Sequence, residues 1–286
     1  MIFKEGDNMS LSIRELKLMA NTIRRDIVEI SYEAQGPSHP GPALSCTDII
    51  TALYFRFMNI DPSEPLWEDR DRLILSTGHA CPAVYSALAE KGFFPKEWLT
   101  TIRRIDSRLQ GHPDMNKTPG IDMTSGSLGN GLSIGLGMAL YQKSKKKDSK
   151  VYVVLGDGET QEGPVWEAAM SASALGANNL ITIVDRNHFQ SCGAVEDIIP
   201  LDNMKNMWES FGWHVIEMNG HNMEDIVCKL EIASRYRSKP TCIIAHTIKG
   251  KGVSFMENNN QWHQKKPTLD EYKQALSELK EERECL

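Results

Sequence analysis

The sequence predicts an α/β fold in which a doubly wound parallel β-sheet carries helices on both faces. Short apolar runs alternate with longer segments of helical periodicity, an order typical of this class. The runs at residues 151–155 and 180–184 consist mainly of Val, Leu and Ile, as expected for strands buried on both faces. The Ala-rich stretch between them is long enough for one crossover helix.

We expect one domain over residues 1–286, with an N-terminal helical extension at about 1–35 and a C-terminal helix at about 269–282. Leu and Ile at helical spacing predict a first helix over residues 10–34. The stretch GPSHPGP at 36–42 predicts a loop, and a second helix is expected over 48–58. The next predicted elements are a strand (72–75), a helix (83–91), a loop (110–124) and a Gly/Ala-rich helix (129–141).

After the two apolar runs, the sequence predicts two further strands at residues 214–218 and 241–245. Between them, residues 223–237 predict a helix that opens with an acidic pair, which is favourable at a helix N-terminus. The final helix, 269–282, is strongly charged and has few apolar residues. We therefore expect it at the surface or at an interface rather than in the core.

Composition and charge exclude several classes of protein. The chain is 41% hydrophobic and 24% charged, with a net charge of -6, which is ordinary for a soluble globular protein. Its main basic cluster, between Lys143 and Lys150, predicts a solvated loop and no nucleic-acid site. The six cysteines have no zinc-like spacing, so we expect them reduced and mostly buried in a cytoplasmic protein. We expect no secretory signal and no membrane span.

The turns after the two apolar runs carry candidate metal ligands. Gly156-Asp157-Gly158 follows the first run, and Asn187 follows the second. Because parallel strands end at the same edge of a sheet, Asp157 and Asn187 are expected to lie together, where open α/β sheets bind ligands. Carboxylate and amide oxygens suit Mg²⁺, whose remaining positions diphosphate oxygens and water can fill. The pattern therefore predicts a metal–diphosphate site.

Four histidines lie in predicted loops, namely His39, His79, His112 and His263. Imidazole groups can donate to diphosphate or sugar oxygens and can transfer protons near neutral pH. We therefore treat these four as candidate functional residues. We interpret the remaining four histidines as structural.

These motifs together resemble transketolase, and the match spans essentially the whole chain. GDG followed about thirty residues later by Asn is the thiamine-diphosphate signature, although Arg186 stands where many members have a first Asn. The segment from His246 to His263 looks most like the separate N-terminal subunit of two-chain transketolases. The motifs that carry the resemblance are SHPG at His39, LSTGHA at His79, GHPD at His112, TSGSLGNGL from Thr124, GDGETQEG from Gly156 and DRNHFQ from Asp185.

The resemblance implies a thiamine-diphosphate-binding fold and a role for each matched residue. The metal ligands for Mg²⁺ would be Asp157, Asn187 and the main-chain carbonyl of Phe189. The cofactor contacts would be Gly158, Asn187, His79 and His263 around the diphosphate, and Gly126, Ser127 and Leu128 along the two rings. The catalytic residues would be His39, His112 and His263, which meet the sugar, and Glu162, which joins a carboxylate network across the subunit interface.

The resemblance also implies a partner. In transketolases a second domain binds the pyrimidine ring and supplies the glutamate that activates the cofactor, and no such domain is evident here. We expect a separate C-terminal subunit to supply it in an α2β2 assembly. The pair would transfer a two-carbon ketol unit from a ketose phosphate to an aldose phosphate, as in the pentose phosphate pathway.

Four alternatives stay open at this stage. The chain could serve a transketolase-like enzyme for another sugar, such as a sulfonated or branched one. It could be the α subunit of a 2-oxo-acid dehydrogenase first component, which fits the GDG–Asn pattern but not the loop histidines. It could also be a non-catalytic assembly subunit. A generic nucleotide-binding domain is disfavoured because no GxGxxG or GxxxxGK[ST] follows a predicted strand.

Overall fold

A computed structural model describes residues 10–286 of the chain, in which five parallel strands form the main sheet. The central strands at residues 151–156 and 180–186 are buried along almost their whole length and lie between helices. Two further short strands form a small antiparallel hairpin. The strands are β1 (Arg72–Leu75), β2 (Val151–Gly156), β3 (Leu180–Arg186), β4 (Phe189–Gln190), β5 (Gly193–Ala194), β6 (His214–Asn219) and β7 (Thr241–His246).

The main sheet has the strand order β1-β2-β3-β7-β6. The chain moves in one direction from β1 to β3, crosses to β6 at the edge, and returns to place β7 beside β3. Gly156 pairs with Asp185, and Arg186 pairs with His246. The carboxyl ends of β2, β3 and β7 therefore lie side by side along one edge of the sheet.

Helices cover both faces of the sheet, which confirms the doubly wound architecture. Side chains alternate along each strand, so that Leu75 and Val154 face one layer while Ile74 and Val153 face the other. The first layer contains α1–α4, α9 and α10, and the second contains α5, α6 and α8. The helices are α1 (Ile13–Glu33), α2 (Pro40–Ser45), α3 (Thr47–Ala52), α4 (Cys81–Lys91), α5 (Gly131–Ser144), α6 (Gly163–Ala174), α7 (Val195–Ile198), α8 (Met204–Ser210), α9 (Met223–Arg235) and α10 (Leu269–Cys285).

The prediction of a loop over residues 36–42 was wrong in its second half. Helix α2 begins at Pro40, directly after His39. Proline suits the first turn of a helix, because its φ is already helical and the missing N–H would have no partner there. The predicted helix over 48–58 instead begins at Thr47 and ends in a π-helical turn, Leu53–Phe57.

The C-terminal helix lies at the surface, as expected, but two of its residues also belong to the core. Ala275 and Leu279, one turn apart on α10, are fully buried in the first layer. The ring of Tyr272 stacks on Tyr32 of α1 at 4.4 Å between centroids, and Asn21 Nδ2 donates to the Leu279 carbonyl at 2.8 Å. A narrow apolar stripe, formed by positions i and i+4, is therefore enough to dock an otherwise charged helix onto α1.

The described residues bear on two expectations from composition, the state of the cysteines and the presence of membrane segments. All six thiols are free, but only Cys46, Cys81 and Cys242 are buried, so burial is less general than predicted. Across residues 10–286 no helix combines the length and apolarity needed to cross a bilayer. Residues 1–9 of the predicted N-terminal extension lie outside the described part of the chain.

Candidate active site

A cavity of about 240 Å³ opens at the carboxyl ends of β1 and β2 and beside that of β3. Its position is the one that ligands occupy in open α/β sheets. Eight residues singled out from the sequence line this cavity, namely His79, Leu128, Asp157, Gly158, Glu162, Asn187, Phe189 and His263. The other four predicted site residues, His39, His112, Gly126 and Ser127, are not among its lining.

Asp157 lies in the turn after β2 and is only 2% exposed. Its carboxylate accepts the N–H of Gly158 at 2.8 Å and the N–H of His188 at 2.6 Å, and no cation of the described residues pairs with it. Burial and the nearby carboxylate of Asp185 raise the pKa of Asp157 to about 7. A buried carboxylate in this state is a favourable ligand for a cation.

Asn187 lies in the turn after β3, next to the carboxylate of Asp185. Asp185 orients it by accepting from Asn187 Nδ2 at 3.1 Å. Asp185 is itself held by Ser45 Oγ at 2.7 Å and by the hydroxyl of Thr247. The side-chain amide oxygen of Asn187, Oδ1, accepts the Phe189 N–H at 3.1 Å. Asp185 therefore positions Asn187, a role that the sequence analysis did not assign to it.

Glu159 was also missed, because the family motif drew attention to Glu162 instead. Glu159 is 3% exposed and accepts four hydrogen bonds. They come from the hydroxyls of Ser76 and Thr77 and from the N–H groups of Gly129 and Gly156. These donors belong to three different segments, so one carboxylate ties together the loops that carry His79, Leu128 and Asp157. We call Asp157, Glu159 and Asp185 the acidic corner.

The four loop histidines come together as a group that we call the histidine cluster. The ring of His39 lies 5.1 Å from that of His79, 5.6 Å from that of His263 and 6.4 Å from that of His112. Burial, assisted by neighbouring positive charges, lowers the pKa of His39 to about 4 and that of His263 to about 3. The cluster is therefore neutral at physiological pH and lies against the cavity that the acidic corner lines.

Lys249 is a third residue that the sequence analysis missed. It follows β7 and is fully buried. Its Nζ lies 2.8 Å from His263 Nδ1 and 2.8 Å from Asn260 Oδ1, and 5.8 Å from the centre of the Phe189 ring. Burial lowers the pKa of Lys249 to about 8. It therefore brings a buried positive charge to a site predicted to bind an anion.

The remaining predicted residues lie around the cavity mouth. Glu162 precedes α6, is exposed, and makes no side-chain hydrogen bond within the described chain. Gly126 has φ +147°, and a Cβ there would lie 3.4 Å from the His112 ring. Ser127 Oγ accepts from Asn130 at 3.0 Å. The Gly126–Leu128 segment therefore passes between the histidine cluster and Glu162.

The donor set fits a divalent cation with an attached diphosphate. Asp157, the Asn187 side chain and the Phe189 carbonyl offer hard oxygens of the kind that Mg²⁺ prefers. At Gly158 an added Cβ would meet Gln190 at 2.8 Å, so only glycine leaves the backbone open to the cavity at this point. Lys249 and the histidine donors supply positive or donating groups for the anion. The residues present are therefore compatible with both groups.

Comparison with protein families identifies a match over nearly the whole chain. Residues 16–282 match the model described as "Transketolase, thiamine diphosphate binding domain". The chain is 42% identical to one subunit of the apulose-4-phosphate transketolase from Phocaeicola vulgatus, covering 96% of this chain and 98% of that protein. It is 45% identical to the SqwG subunit of the 6-deoxy-6-sulfo-D-fructose transketolase from a Clostridium species, covering 94% and 97%.

Solved structures agree on the fold. The transketolase of Campylobacter jejuni superposes with a TM-score of 0.88 at 31% identity, over 95% of this chain and 43% of that chain. The enzyme from Leishmania mexicana gives a TM-score of 0.86 at 26% identity, covering 95% and 42%. The chain therefore spans less than half the length of these transketolases, whereas it spans almost the full length of the two subunits.

Proposed function

The chain belongs to the transketolase family, and from this premise we propose that it is the diphosphate-binding subunit of a two-chain, thiamine-diphosphate- and Mg²⁺-dependent transketolase. The single observation that carries the proposal is the position of Asp157 and Asn187. Each follows one of the two paired strands β2 and β3, and both line the same cavity. The chain matches proteins named as transketolase subunits over nearly their full length, at 42–45% identity, and this supports the split arrangement. We further propose that residues 1–286 form one domain.

We propose that Asp157, Asn187 and the Phe189 carbonyl hold Mg²⁺, and that Gly158, His79 and His263 contact the diphosphate. Gly126, Ser127 and Leu128 would lie along the cofactor rings. Because the Asp157 carboxylate is buried beside Asp185, a bound cation would relieve the repulsion between the two acids. When bound, the cofactor supplies a carbon nucleophile and an electron sink for a two-carbon unit.

The histidine cluster is suited to handling the sugar. His39, His112 and His263 are neutral imidazoles, which can donate to hydroxyl or carbonyl oxygens without adding net charge. Their positions on separate loops allow contacts with several oxygens of a polyhydroxylated substrate. We propose that they orient the donor sugar and stabilise the alkoxide that develops at its carbonyl. Glu162, at the cavity mouth, would contact the carboxylate network of the neighbouring subunit.

The surface beside the cavity supports the presence of a partner. Helices α5 and α6 start at the cavity and carry apolar residues on all sides, a pattern typical of helices that are buried all round. Four large apolar side chains on or just after them are nevertheless exposed: Ile134, Tyr141, Met170 and Leu175. We propose that the subunit carrying the pyrimidine-binding domain covers this face and completes the site, in an α2β2 assembly.

A second candidate concerns the substrate. The two relatives that match over their full length are named for apulose-4-phosphate and 6-deoxy-6-sulfo-D-fructose. These names favour a branched or sulfonated sugar as an alternative to an ordinary ketose phosphate. The chemistry on this chain would be the same, because the residues proposed to contact the cofactor do not depend on the distal end of the sugar.

The test is reconstitution with a candidate partner subunit that carries the pyrimidine-binding domain. The chain alone and the mixed pair are assayed with thiamine diphosphate and Mg²⁺ against plain, branched and sulfonated ketose donors. We expect turnover only from the pair, with the preferred donor distinguishing the two candidates. Full turnover by the isolated chain would refute the split enzyme, and failure of the pair to bind the cofactor would refute the function.

A further inference from the structure

Lys249 is buried and lies within hydrogen-bond distance of the half-buried His263. Lys249 Nζ lies 2.8 Å from His263 Nδ1 and 2.8 Å from Asn260 Oδ1. The other imidazole nitrogen, Nε2, has no hydrogen-bond partner among residues 10–286, although the His263 ring lines the cavity. The two ring nitrogens are therefore in different environments.

An ammonium group can only donate hydrogen bonds. The nitrogen of His263 that receives this bond must therefore be unprotonated, and the single proton of the neutral ring must lie on Nε2. We propose that Lys249 is a positioning residue that locks His263 in the Nε2–H tautomer and so presents a hydrogen-bond donor to the cavity.

The position of the Lys249 side chain is tightly determined. Its Cγ lies 3.3 Å from where a Cβ on Gly41 would be, and that Cβ would also lie 2.7 Å from the Trp262 carbonyl. The preceding residue is anchored as well, because the Ile248 N–H donates to His221 Nε2 at 2.7 Å while His221 Nδ1 contacts Asp48 at 2.8 Å. Lys249 therefore meets His263 from a fixed direction.

Charge supports the same assignment. The Lys249 ammonium also lies 2.8 Å from Asn260 Oδ1, an amide oxygen that can only accept, so Lys249 acts as a donor in this contact too. Burial, Lys249 and His39 lower the pKa of His263 to about 3. At neutral pH the pair is therefore an ammonium donating to a neutral imidazole.

This assignment narrows the chemistry open to His263, given the proposed function on which its role toward ligands rests. A proton from substrate would have to go to Nδ1, which already accepts from Lys249. His263 is therefore a donor to a diphosphate or sugar oxygen and does not serve as a general base. Proton removal, where the reaction needs it, falls to other members of the histidine cluster.

The test is the tautomer itself, read by long-range ¹H–¹⁵N NMR on the ¹⁵N-labelled full chain at pH 7. The His263 signals are identified by their loss in a His263→Gln variant. We expect a proton on Nε2 and none on Nδ1 in the wild-type chain. A proton on Nδ1, or on both nitrogens, would overturn the proposal, and this reading requires no Lys249 variant to fold.

Two variants test the cause. Lys249→Met removes the donor at similar length, and we expect mixed tautomers together with a proton affinity of His263 about tenfold higher or more. Lys251→Met, on the same loop but paired with Glu257, is the matched control and should leave the spectrum unchanged. An unaltered tautomer in Lys249→Met would contradict the proposal.

Failure of the proposed function has a different signature. It would appear as absence of thiamine-diphosphate uptake by the two-subunit complex, with the His263 tautomer still as expected. A wrong tautomer in a complex that does bind the cofactor would refute only the role of Lys249.

Discussion

The acidic corner and the histidine cluster lie at one cavity, which His79 and His263 of the cluster line directly, yet the two groups are held in place by different means. Glu159 and Asp185 are saturated with hydrogen bonds from loops and strand ends. Within the cluster, His39 and His79 contact their neighbours through ring faces and edges and make no side-chain hydrogen bond within residues 10–286. The corner is thus organised before any ligand arrives. The cluster keeps its donors available for one, which is what a substrate-facing surface needs.

Removal of the Asp157 carboxylate from the acidic corner should have the largest effect on cofactor binding. In Asp157→Ala the proposed Mg²⁺ site loses its only charged ligand, so we expect Mg²⁺-dependent affinity for thiamine diphosphate to fall by at least about 100-fold. Titration calorimetry on the two-subunit complex measures this. Asp197→Ala, an exposed acid after the β4–β5 hairpin, is the control. Undiminished uptake by Asp157→Ala would remove the basis for the site.

Glu159 and Glu162 allow a comparison of stability between a buried and an exposed glutamate of the same turn. In Glu159→Gln the amide NH₂ must face one of two fixed backbone donors, Gly129 or Gly156, whichever way it is turned. We expect the free energy of unfolding to fall by about 1–3 kcal/mol. Glu162→Gln should change it by less than about 0.5 kcal/mol, because that side chain is exposed.

Urea unfolding of the full chain, followed by tryptophan fluorescence, measures both variants. The Trp166 indole donates to the Thr160 carbonyl at 2.7 Å and so lies close to this turn. Equal stability of the two variants would show that Glu159 does not hold the loops together.

The smallest effect should come from the pH response of the cluster. The pKa of His39 is lowered from 6.5 to about 4, so the folded state favours the neutral ring. Its contribution to stability is present above about pH 6.5 and is lost as the pH falls toward 4. In His39→Gln we expect a flatter dependence of unfolding free energy over this window, measured by urea unfolding at several pH values. An unchanged slope would contradict the assignment.

The strands could be predicted from the sequence because the strands of a parallel sheet are rich in Val, Leu and Ile. Residues 72–75 and the starts of β2, β3, β6 and β7 agree with the prediction. Helix α2 was missed because GPSHPGP has the composition of a loop, although Pro40 occupies the first helical position, which proline favours.

The residues of the candidate site also fall into those that could be predicted from the sequence and those that could not. Asp157, Asn187 and the four histidines could be singled out because their chemistry and motifs are local. Lys249 and Glu159 could not, because nothing in the sequence next to them distinguishes them from other lysines and glutamates. Glu159 is fixed by Ser76, 83 positions away, and Lys249 is one of many lysines until burial distinguishes it.

The pairing of α1 with α10 has a consequence for biosynthesis. Asn21 and Leu279 are 258 positions apart, so the contact between the two helices can form only after the intervening chain has been synthesised. Long-range contacts of this kind form late in folding. The contact between α1 and α10 is therefore expected among the last to form.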